Sequence, residues 1–143
     1  MKGATNSQFF SSAALKTVRL LVDTVTFIWA IGAPDRISAR ASRAIELEKA
    51  VVEISAISLS EIAIKQAKGK LNLSKVEVLA ALDQLRLRVL PYTVDHASEL
   101  FGLPLHHTDP FDRQIIAQAL AEDIPIVTAD ETFRLYKGLR IIW

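Results

Sequence analysis

The chain has 143 residues, of which 50% are hydrophobic, and it contains no cysteine. This length and composition predict one compact domain with a core of its own, and the missing thiols exclude disulfides and thiolate zinc sites. No apolar run approaches the roughly 20 residues that a membrane helix needs, and residues 1–16 lack the sustained apolar segment of a signal peptide. We therefore expect a soluble protein of the cytoplasm without membrane association.

The formal net charge of the chain is +1. Residues 1–17 carry Lys2 and Lys16 and no acid, so 15 basic and 16 acidic residues remain in the rest of the chain. Because residues 18–143 have no excess of basic residues, binding of duplex DNA through bulk electrostatics is not favoured. The balance is compatible with a smaller nucleic-acid substrate that is reached through metal ions.

Residues 1–17 are rich in Ser, Ala and Thr and show no periodicity, so we expect a disordered extension there and a folded domain at residues 18–143. Five short apolar segments predict strands, at residues 19–23, 51–55, 88–92, 125–128 and 139–143. Helical spacing or capping residues predict helices at residues 24–31, 38–50, 58–68 and 74–87, from Thr93, and at 109–122. Strands separated by helices predict an α/β fold built on a parallel sheet.

Four acidic residues stand where apolar runs give way to polar sequence: Asp23, Glu61, Asp112 and Asp130. Each lies at the end of a predicted strand or in the first turn of a predicted helix, which is the edge of an open α/β sheet where ligands bind. Independent helix caps have no reason to fall together at this edge. Because four clustered carboxylates without partner bases repel one another, the cluster predicts a site for a hard divalent cation, Mg²⁺ or Mn²⁺.

The first two acids also have a purely structural interpretation, which the sequence leaves open. Asp23 is a favoured residue type for capping the helix that follows it. Glu61 stands three residues after Ser58, which is the spacing of a capping box, and Lys65 lies one turn further on and could pair with it.

The other two acids are open to the same kind of interpretation. Asp109 has the character of an N-cap, Pro110 suits the first helical position, and Asp112 then falls at the third. Asp130 follows a strand and is typical of a turn stabilised by its own side chain. Taken singly, the acids are explained by helix and turn chemistry, and their joint placement is what favours the metal site.

Four segments of the chain carry more information together than the acids alone. In chain order they are LLVDT with WA at residues 20–24 and 29–30, SAISLSEIAIK with GKL at 55–65 and 69–71, HTDPFDR with IAQAL at 107–113 and 116–120, and VTAD at 127–130 followed by Phe133 and Tyr136. The set resembles the PIN-domain ribonucleases, and within them the VapC-type toxins of type II toxin–antitoxin systems. The resemblance runs from about residue 19 to the C-terminus, and four motifs in one order are far more specific than any one of them.

The resemblance implies a PIN-like three-layer α/β sandwich. Its five-stranded parallel sheet would have the order 3-2-1-4-5, with helices on both faces and the ends of strands one and four side by side. By the same resemblance the catalytic, metal-binding carboxylates are Asp23, Glu61, Asp112 and Asp130. Thr24 and Thr128 would be polar neighbours of the site, and Asp109 is a weaker candidate that is also explained as a cap.

The implied activity is Mg²⁺-dependent hydrolysis of RNA phosphodiester bonds. One or two ions, held by Asp23 and Asp112 and supported by the other two acids, would activate a water and neutralise charge that develops at the phosphate. The basic residues Lys65, Lys68, Lys70 and Arg113 could steer phosphates, although solvation at the surface is the commoner role. His106 and His107 are adjacent and lack zinc-ligand spacing, so we expect loop structure or weak RNA contact for them.

The resemblance further implies a cognate antitoxin that lays apolar side chains along a groove and brings a basic residue to the acidic pocket. The toxin would be a homodimer or part of a hetero-oligomer with the antitoxin. One position departs from the family pattern, because Val25 stands where many relatives have His. The alternative is therefore a PIN fold with weak or no catalysis that binds RNA or protein. A phosphatase of the haloacid dehalogenase type is disfavoured, since it needs an acid where Val25 stands.

Overall fold

The structure, a computed structural model, describes residues 18–143. The expected extension at residues 1–17 lies outside the described residues. The five strands are β1 (Val18–Val22), β2 (Ala50–Ser55), β3 (Arg88–Leu90), β4 (Ile126–Val127) and β5 (Ile141–Ile142). The α-helices of the described part are α1 (Thr24–Gly32), α2 (Ala39–Ile45), α3 (Ala56–Ala67), α4 (Lys75–Gln84), α5 (Val94–Glu99) and α6 (Pro110–Glu122). Short 3₁₀ turns lie at Pro34–Arg36, Leu100–Gly102 and Glu131–Leu135.

The strands form one parallel sheet in the order β3-β2-β1-β4-β5. The central strand β1 pairs with β2 along its whole length and with β4 near its carboxyl end, where Val22 lies opposite Val127. The expected α/β class and strand order are thereby confirmed. Asp23, directly after β1, donates its backbone N–H to the Val127 carbonyl at 3.1 Å, so the end of β1 is fixed beside the end of β4.

Alternation along β1 separates two hydrophobic cores, because successive side chains of a strand point to opposite faces. Leu20 and Val22 belong to a core that includes Phe27 of α1 and Ile62 of α3. Leu21 belongs to the other core, with Ile115 and Ile116 of α6 and Phe133 of the last 3₁₀ turn. Helices thus cover both faces of the sheet, as a three-layer sandwich requires. No helix within residues 18–143 is long and apolar enough to cross a membrane.

Several elements are shorter than the sequence predicts. Helix α2 ends at Ile45 rather than near residue 50, because Ala50 already pairs with Val18 as the first residue of β2. Helix α4 ends before residue 87, since Arg86 adopts a left-handed φ of 53°. This conformation is uncommon for a residue with a Cβ atom, so an arginine at this position does not predict it. Strands β3, β4 and β5 are also two or three residues shorter than predicted.

Helix α3 begins two residues earlier than predicted, and this corrects one interpretation. The Ser55 hydroxyl accepts a hydrogen bond from a backbone N–H of the first turn at 2.9 Å and is the N-cap. Ser58 therefore lies inside the helix, where it is fully buried and accepts a hydrogen bond from the Thr24 hydroxyl at 2.8 Å. The capping box suggested for Ser58 and Glu61 is wrong, since Ser55 occupies the cap position.

One charged residue lies in the interior of the sheet. The Glu53 side chain of β2 is fully buried and accepts hydrogen bonds from Arg19 at 2.6 and 3.0 Å, with Arg88 3.6 Å away. Arg19 also binds one carboxylate oxygen of Glu122 at 2.9 Å, and the other oxygen lies 2.9 Å from Nε2 of the buried His96. A buried charge is tolerated only when partners of this kind compensate it.

Candidate metal centre

A cleft opens where β1 and β4 end. Asp23, Asp112 and Asp130 line it together with Val25 and Ala129, and its volume is about 240 Å³. Asp23 directly follows β1, Asp130 follows β4 by three residues, and Asp112 lies in the first turn of α6. The convergence of the first and fourth segments follows from the strand order, and three of the four predicted carboxylates lie in one cavity.

Asp23 is held rigidly at the floor of this cleft. One carboxylate oxygen caps α1 by accepting the Thr26 N–H at 2.9 Å, and the other accepts the Thr128 hydroxyl at 2.6 Å. The side chain is 5% exposed. Burial raises the pKa of Asp23, and the hydrogen bonds from Thr128 and Thr26 offset part of that rise. The cap interpretation and the site interpretation therefore both apply to the same carboxylate.

Thr128 links the two strand ends through its hydroxyl group. While the hydroxyl donates to Asp23, its oxygen accepts the backbone N–H of Asp130 at 3.0 Å. Thr24, the other predicted polar neighbour, faces away from this contact and donates to Ser58 instead. Thr128 thus orients two of the acids, whereas Thr24 joins the beginning of α1 to α3.

Glu61 of α3 is not among the residues that line the cleft, but it is also buried, at 4% exposure, and its charge acts on Asp112. Its Oε2 accepts a hydrogen bond from Lys65 at 2.6 Å, whereas no hydrogen bond from within residues 18–143 reaches the buried Oε1. The Glu61 carboxylate raises the pKa of Lys65, although burial acts in the opposite sense, and Asp109 and Asp112 add to the rise. Lys65 thus pairs with Glu61 as its helical spacing predicts, and one oxygen of Glu61 keeps an unused lone-pair site.

The pKa of Asp112 reflects its burial and the negative charges of the neighbouring acids. Burial, followed by the charges of Asp109, Glu61, Asp23 and Asp130, raises the pKa of its carboxyl group to about 7. Like charges at short range disfavour ionisation of one another. All four other acids therefore lie close enough to Asp112 to act on the same proton.

Asp130 begins the last 3₁₀ turn and lies at the more exposed side of the cleft. Its Oδ1 accepts the Thr132 N–H at 2.9 Å, and its Oδ2 lies 3.2 Å from Nε2 of His107. Burial acts to raise the pKa of Asp130, but the hydrogen bonds from Thr132 and His107 outweigh it and the pKa is lowered. Oδ1 of Asp130 therefore stabilises the turn, as the sequence predicts, and Oδ2 faces His107.

Two other predicted residues, Asp109 and Arg113, stabilise the beginning of α6 and the loop before it. Asp109 is the N-cap of α6 and accepts the Phe111 N–H at 2.8 Å. Arg113 donates to the carbonyl oxygens of Pro104 and Leu103 at 2.7 and 3.1 Å. Its guanidinium group therefore anchors the loop before α6.

The donor set fits a hard divalent cation. Carboxylate oxygens are the ligands that Mg²⁺ and Mn²⁺ prefer. The buried Oε1 of Glu61 lacks a hydrogen-bond partner in the described part of the chain, and burial together with neighbouring carboxylates raises the pKa of Asp112 to about 7. A cation would satisfy the first group and neutralise the repulsion that acts on the second.

Comparison with protein families shows what kind of domain presents this cleft. The sequence matches the family model of the PIN domain over residues 20–139. The chain belongs to the PIN domain family. No curated protein matches the chain in a sequence comparison.

Solved structures share the fold of this PIN domain. VapBC2 from Rickettsia felis, bound to a promoter DNA fragment, superposes with a TM-score of 0.68 at 21% identity, covering 87% of this chain and 97% of the other. DNA-bound VapBC from Salmonella typhimurium gives a TM-score of 0.66 at 23% identity, with the same coverage. VapBC-5 from Mycobacterium tuberculosis gives 0.58 at 18% identity, again covering 87% and 97%. At these identities the likeness concerns the fold.

The sequence predicts loop structure or weak RNA contact for His107 of this PIN domain. The loop placement agrees with the structure, but the ring also lies beside two carboxylates of the cleft, those of Asp112 and Asp130. Ligand atoms of His107, Asp112 and Asp130 all lie within 4.8 Å of one another. The signal available in the sequence was weak, because His107 precedes Asp109 within a single motif but has no second histidine at a ligand spacing.

Proposed function

We propose that this PIN domain is a metal-dependent endoribonuclease and acts as a VapC-type toxin. The observation that carries the proposal is the convergence of carboxylates from separate segments. Asp23, Asp112 and Asp130 share one cleft, and the charge of Glu61 acts on Asp112. Membership of the PIN domain family supports a nuclease, and the likeness to VapBC complexes supports the toxin class.

The roles of the residues follow from their surroundings. Asp23 and Asp112 would hold Mg²⁺ or Mn²⁺ as principal ligands, and Glu61 and Asp130 would support them. When bound, the ion supplies Lewis-acid activation of a water and neutralisation of charge at the phosphate. Thr128 keeps the Asp23 carboxylate in a single orientation through its 2.6 Å hydrogen bond.

The basic side chains near the cleft are already engaged. Lys65 neutralises Glu61, and Arg113 holds loop carbonyl groups. Within residues 18–143, no lysine or arginine lines the cleft, so no positive side chain of the described part is placed there to bind a phosphate. Binding of RNA would therefore depend on the cation, which agrees with a net charge of only +1.

Cleavage of single-stranded RNA by purified protein tests the nuclease. With Mg²⁺, we expect endonucleolytic cleavage that EDTA abolishes, and we expect Asp23→Asn to lower the rate by at least about a hundredfold, because one removed electrostatic contact costs this much in other enzymes. Asp83→Asn is the matched control, since it makes the same change at an exposed residue of α4 that does not line the cleft.

An Asp23→Asn protein that cleaves at the wild-type rate would remove Asp23 from the active site. Wild-type protein that binds RNA without cutting it, with either ion, would favour the binding-module alternative, which the exposed Val25 in place of a family histidine leaves open. Mn²⁺ should replace Mg²⁺, because both ions accept carboxylate ligands.

We further propose a cognate antitoxin as the partner of this chain and the cytoplasm as its location. Solved structures with this fold include a member of the VapBC family of toxin–antitoxin systems and a toxin–antitoxin complex from Klebsiella pneumoniae. A small reading frame beside the gene, encoding a DNA-binding protein, should yield a product that co-purifies with the chain as a hetero-oligomer and blocks cleavage. A homodimer is the expected state of the chain alone, and light scattering measures both states.

A further inference from the structure

His107 is held in place by two aromatic side chains. Its ring stacks on Tyr136 at a centroid distance of 5.6 Å and an interplanar angle of 16°, and it meets the edge of Phe133 at 4.9 Å. The Tyr136 hydroxyl accepts the backbone N–H of His107 at 2.9 Å and lies 3.1 Å from Nδ1. With the side chain only 9% exposed, the ring has one orientation.

That orientation directs Nε2 to the carboxylates. Nε2 lies 3.2 Å from Oδ2 of Asp130, and a ligand atom of Asp112 lies within 4.8 Å of both residues. Glu61 adds an independent observation, since its buried Oε1 has no hydrogen-bond partner among the described residues. The cluster therefore contains one fixed nitrogen donor beside carboxylate oxygens with unused lone pairs.

Tyr136 is compatible with either tautomer of this imidazole. Its hydroxyl can donate to Nδ1, so that Nε2–H donates to Asp130. It can equally accept Nδ1–H, because a hydroxyl oxygen has two lone pairs and the backbone N–H of His107 uses only one. In the second arrangement Nε2 presents a lone pair to the cleft. Histidine ligands of metal ions commonly donate their other ring N–H to a fixed acceptor, as Nδ1 would here.

We infer that His107 is a nitrogen ligand of the metal centre, with Tyr136 as the residue that positions it. This inference rests on the proposed metal-dependent function. Imidazole is a good ligand for transition-metal ions and a poor one for Mg²⁺. The cleft should therefore bind Mn²⁺ more tightly than Mg²⁺, and the difference should depend on His107.

Binding of Mn²⁺ to the full chain tests the inference without an activity measurement. Pulsed electron paramagnetic resonance should detect the ¹⁴N coupling of a directly bound imidazole in the wild-type protein. Calorimetric titration should show that His107→Gln weakens Mn²⁺ binding by about tenfold or more, while the affinity for Mg²⁺ changes by less than about threefold. Tyr136→Phe should weaken Mn²⁺ binding by a smaller factor.

His106→Gln is the matched control. His106 is the adjacent residue and is exposed, and its ring contacts Tyr136 edge-on at 4.8 Å. Its replacement should leave both the Mn²⁺ affinity and the ¹⁴N coupling unchanged. Near-ultraviolet circular dichroism of each variant establishes that the aromatic cluster is intact, and the wild-type resonance measurement needs no variant.

The outcomes separate this inference from the proposed function. Wild-type protein that binds Mn²⁺, loses it in Asp112→Asn and shows no ¹⁴N coupling would overturn the role of His107 and leave the metal centre standing. In that case His107 would only orient Asp130 by a hydrogen bond. Wild-type protein that binds neither ion would overturn both. A ¹⁴N coupling that disappears in His107→Gln and persists in His106→Gln supports the inference.

Discussion

Asp112→Asn should stabilise the protein in the presence of EDTA at pH 8. The folded chain holds this carboxyl group among other acids, and burial together with their charges raises its pKa from 3.8 to about 7. Between these values the folded state binds more protons than the unfolded state, so the free energy of unfolding falls as the pH rises through this window. Asparagine has nearly the same shape and carries no charge, so the variant avoids that loss.

The size of the effect follows from the shift in pKa. One unit corresponds to 1.36 kcal/mol, so the shift of Asp112 has a ceiling of about 4 kcal/mol. Because the group is partly solvent-accessible, screening reduces this to about 2 kcal/mol. For a domain of this size that is a rise in Tm of roughly 6–8 °C at pH 8. At pH 4 the wild-type carboxyl is largely protonated, so the two proteins should unfold at nearly the same temperature.

Thermal unfolding by circular dichroism, in EDTA at pH 4 and pH 8, measures the difference between variant and wild type. Titration of all other groups cancels in that difference, and Asp83→Asn controls for loss of an exposed carboxylate. Addition of Mg²⁺ at pH 8 should reverse the order, since a ligand stabilises the state that binds it. A variant without any gain at pH 8, or with the same gain at both pH values, would refute the electrostatic reasoning.

Two further substitutions test buried polar contacts of the fold. Ser58→Ala should cost about 1–2 kcal/mol in urea unfolding, because it leaves the buried Thr24 hydroxyl without its acceptor, whereas Ser60→Ala at an exposed position of α3 should be near neutral. Equal losses in the two serine variants would contradict the role of the Thr24 contact. Glu53→Gln should cost about 3 kcal/mol, because two arginines lose the buried charge that they pair with, and the exposed Glu48→Gln is the comparison. A loss below about 1 kcal/mol would show that Arg19 is satisfied by Glu122 alone.

The sequence was sufficient for those features that depend on topology. Asp23 and Asp130 stand at the ends of two apolar segments, and their convergence follows from the strand order 3-2-1-4-5, which the family resemblance implies and the structure confirms. Asp109 and Pro110 likewise define the beginning of α6, which places Asp112 in its first turn. These features depend on residue type and on position in the chain, both of which the sequence displays.

Features that depend on tertiary contacts were less accessible. The spacing of Ser58 and Glu61 matches a capping box, but the helix begins at Ala56 because Ser55 caps it. The N-cap of α3 is Ser55 because β2 ends there, and the local sequence pattern does not show where that strand ends. The position of His107 beside the carboxylates depends on its contact with Tyr136, which lies 29 residues later in the chain. The local sequence around His107 does not predict that contact.

The sequence separation across the cleft has a consequence for the order of events during synthesis. Thr128 and Asp23, joined by a hydrogen bond, are 105 positions apart. A nascent chain that has emerged from the ribosome only as far as β3 can present Asp23 and Glu61, but Asp112, Thr128 and Asp130 have yet to appear. A partly synthesised chain therefore lacks the assembled cleft while it is still attached to the ribosome and its messenger RNA. If the proposed nuclease function is correct, the activity of arrested nascent chains of increasing length should begin only after β4 has emerged.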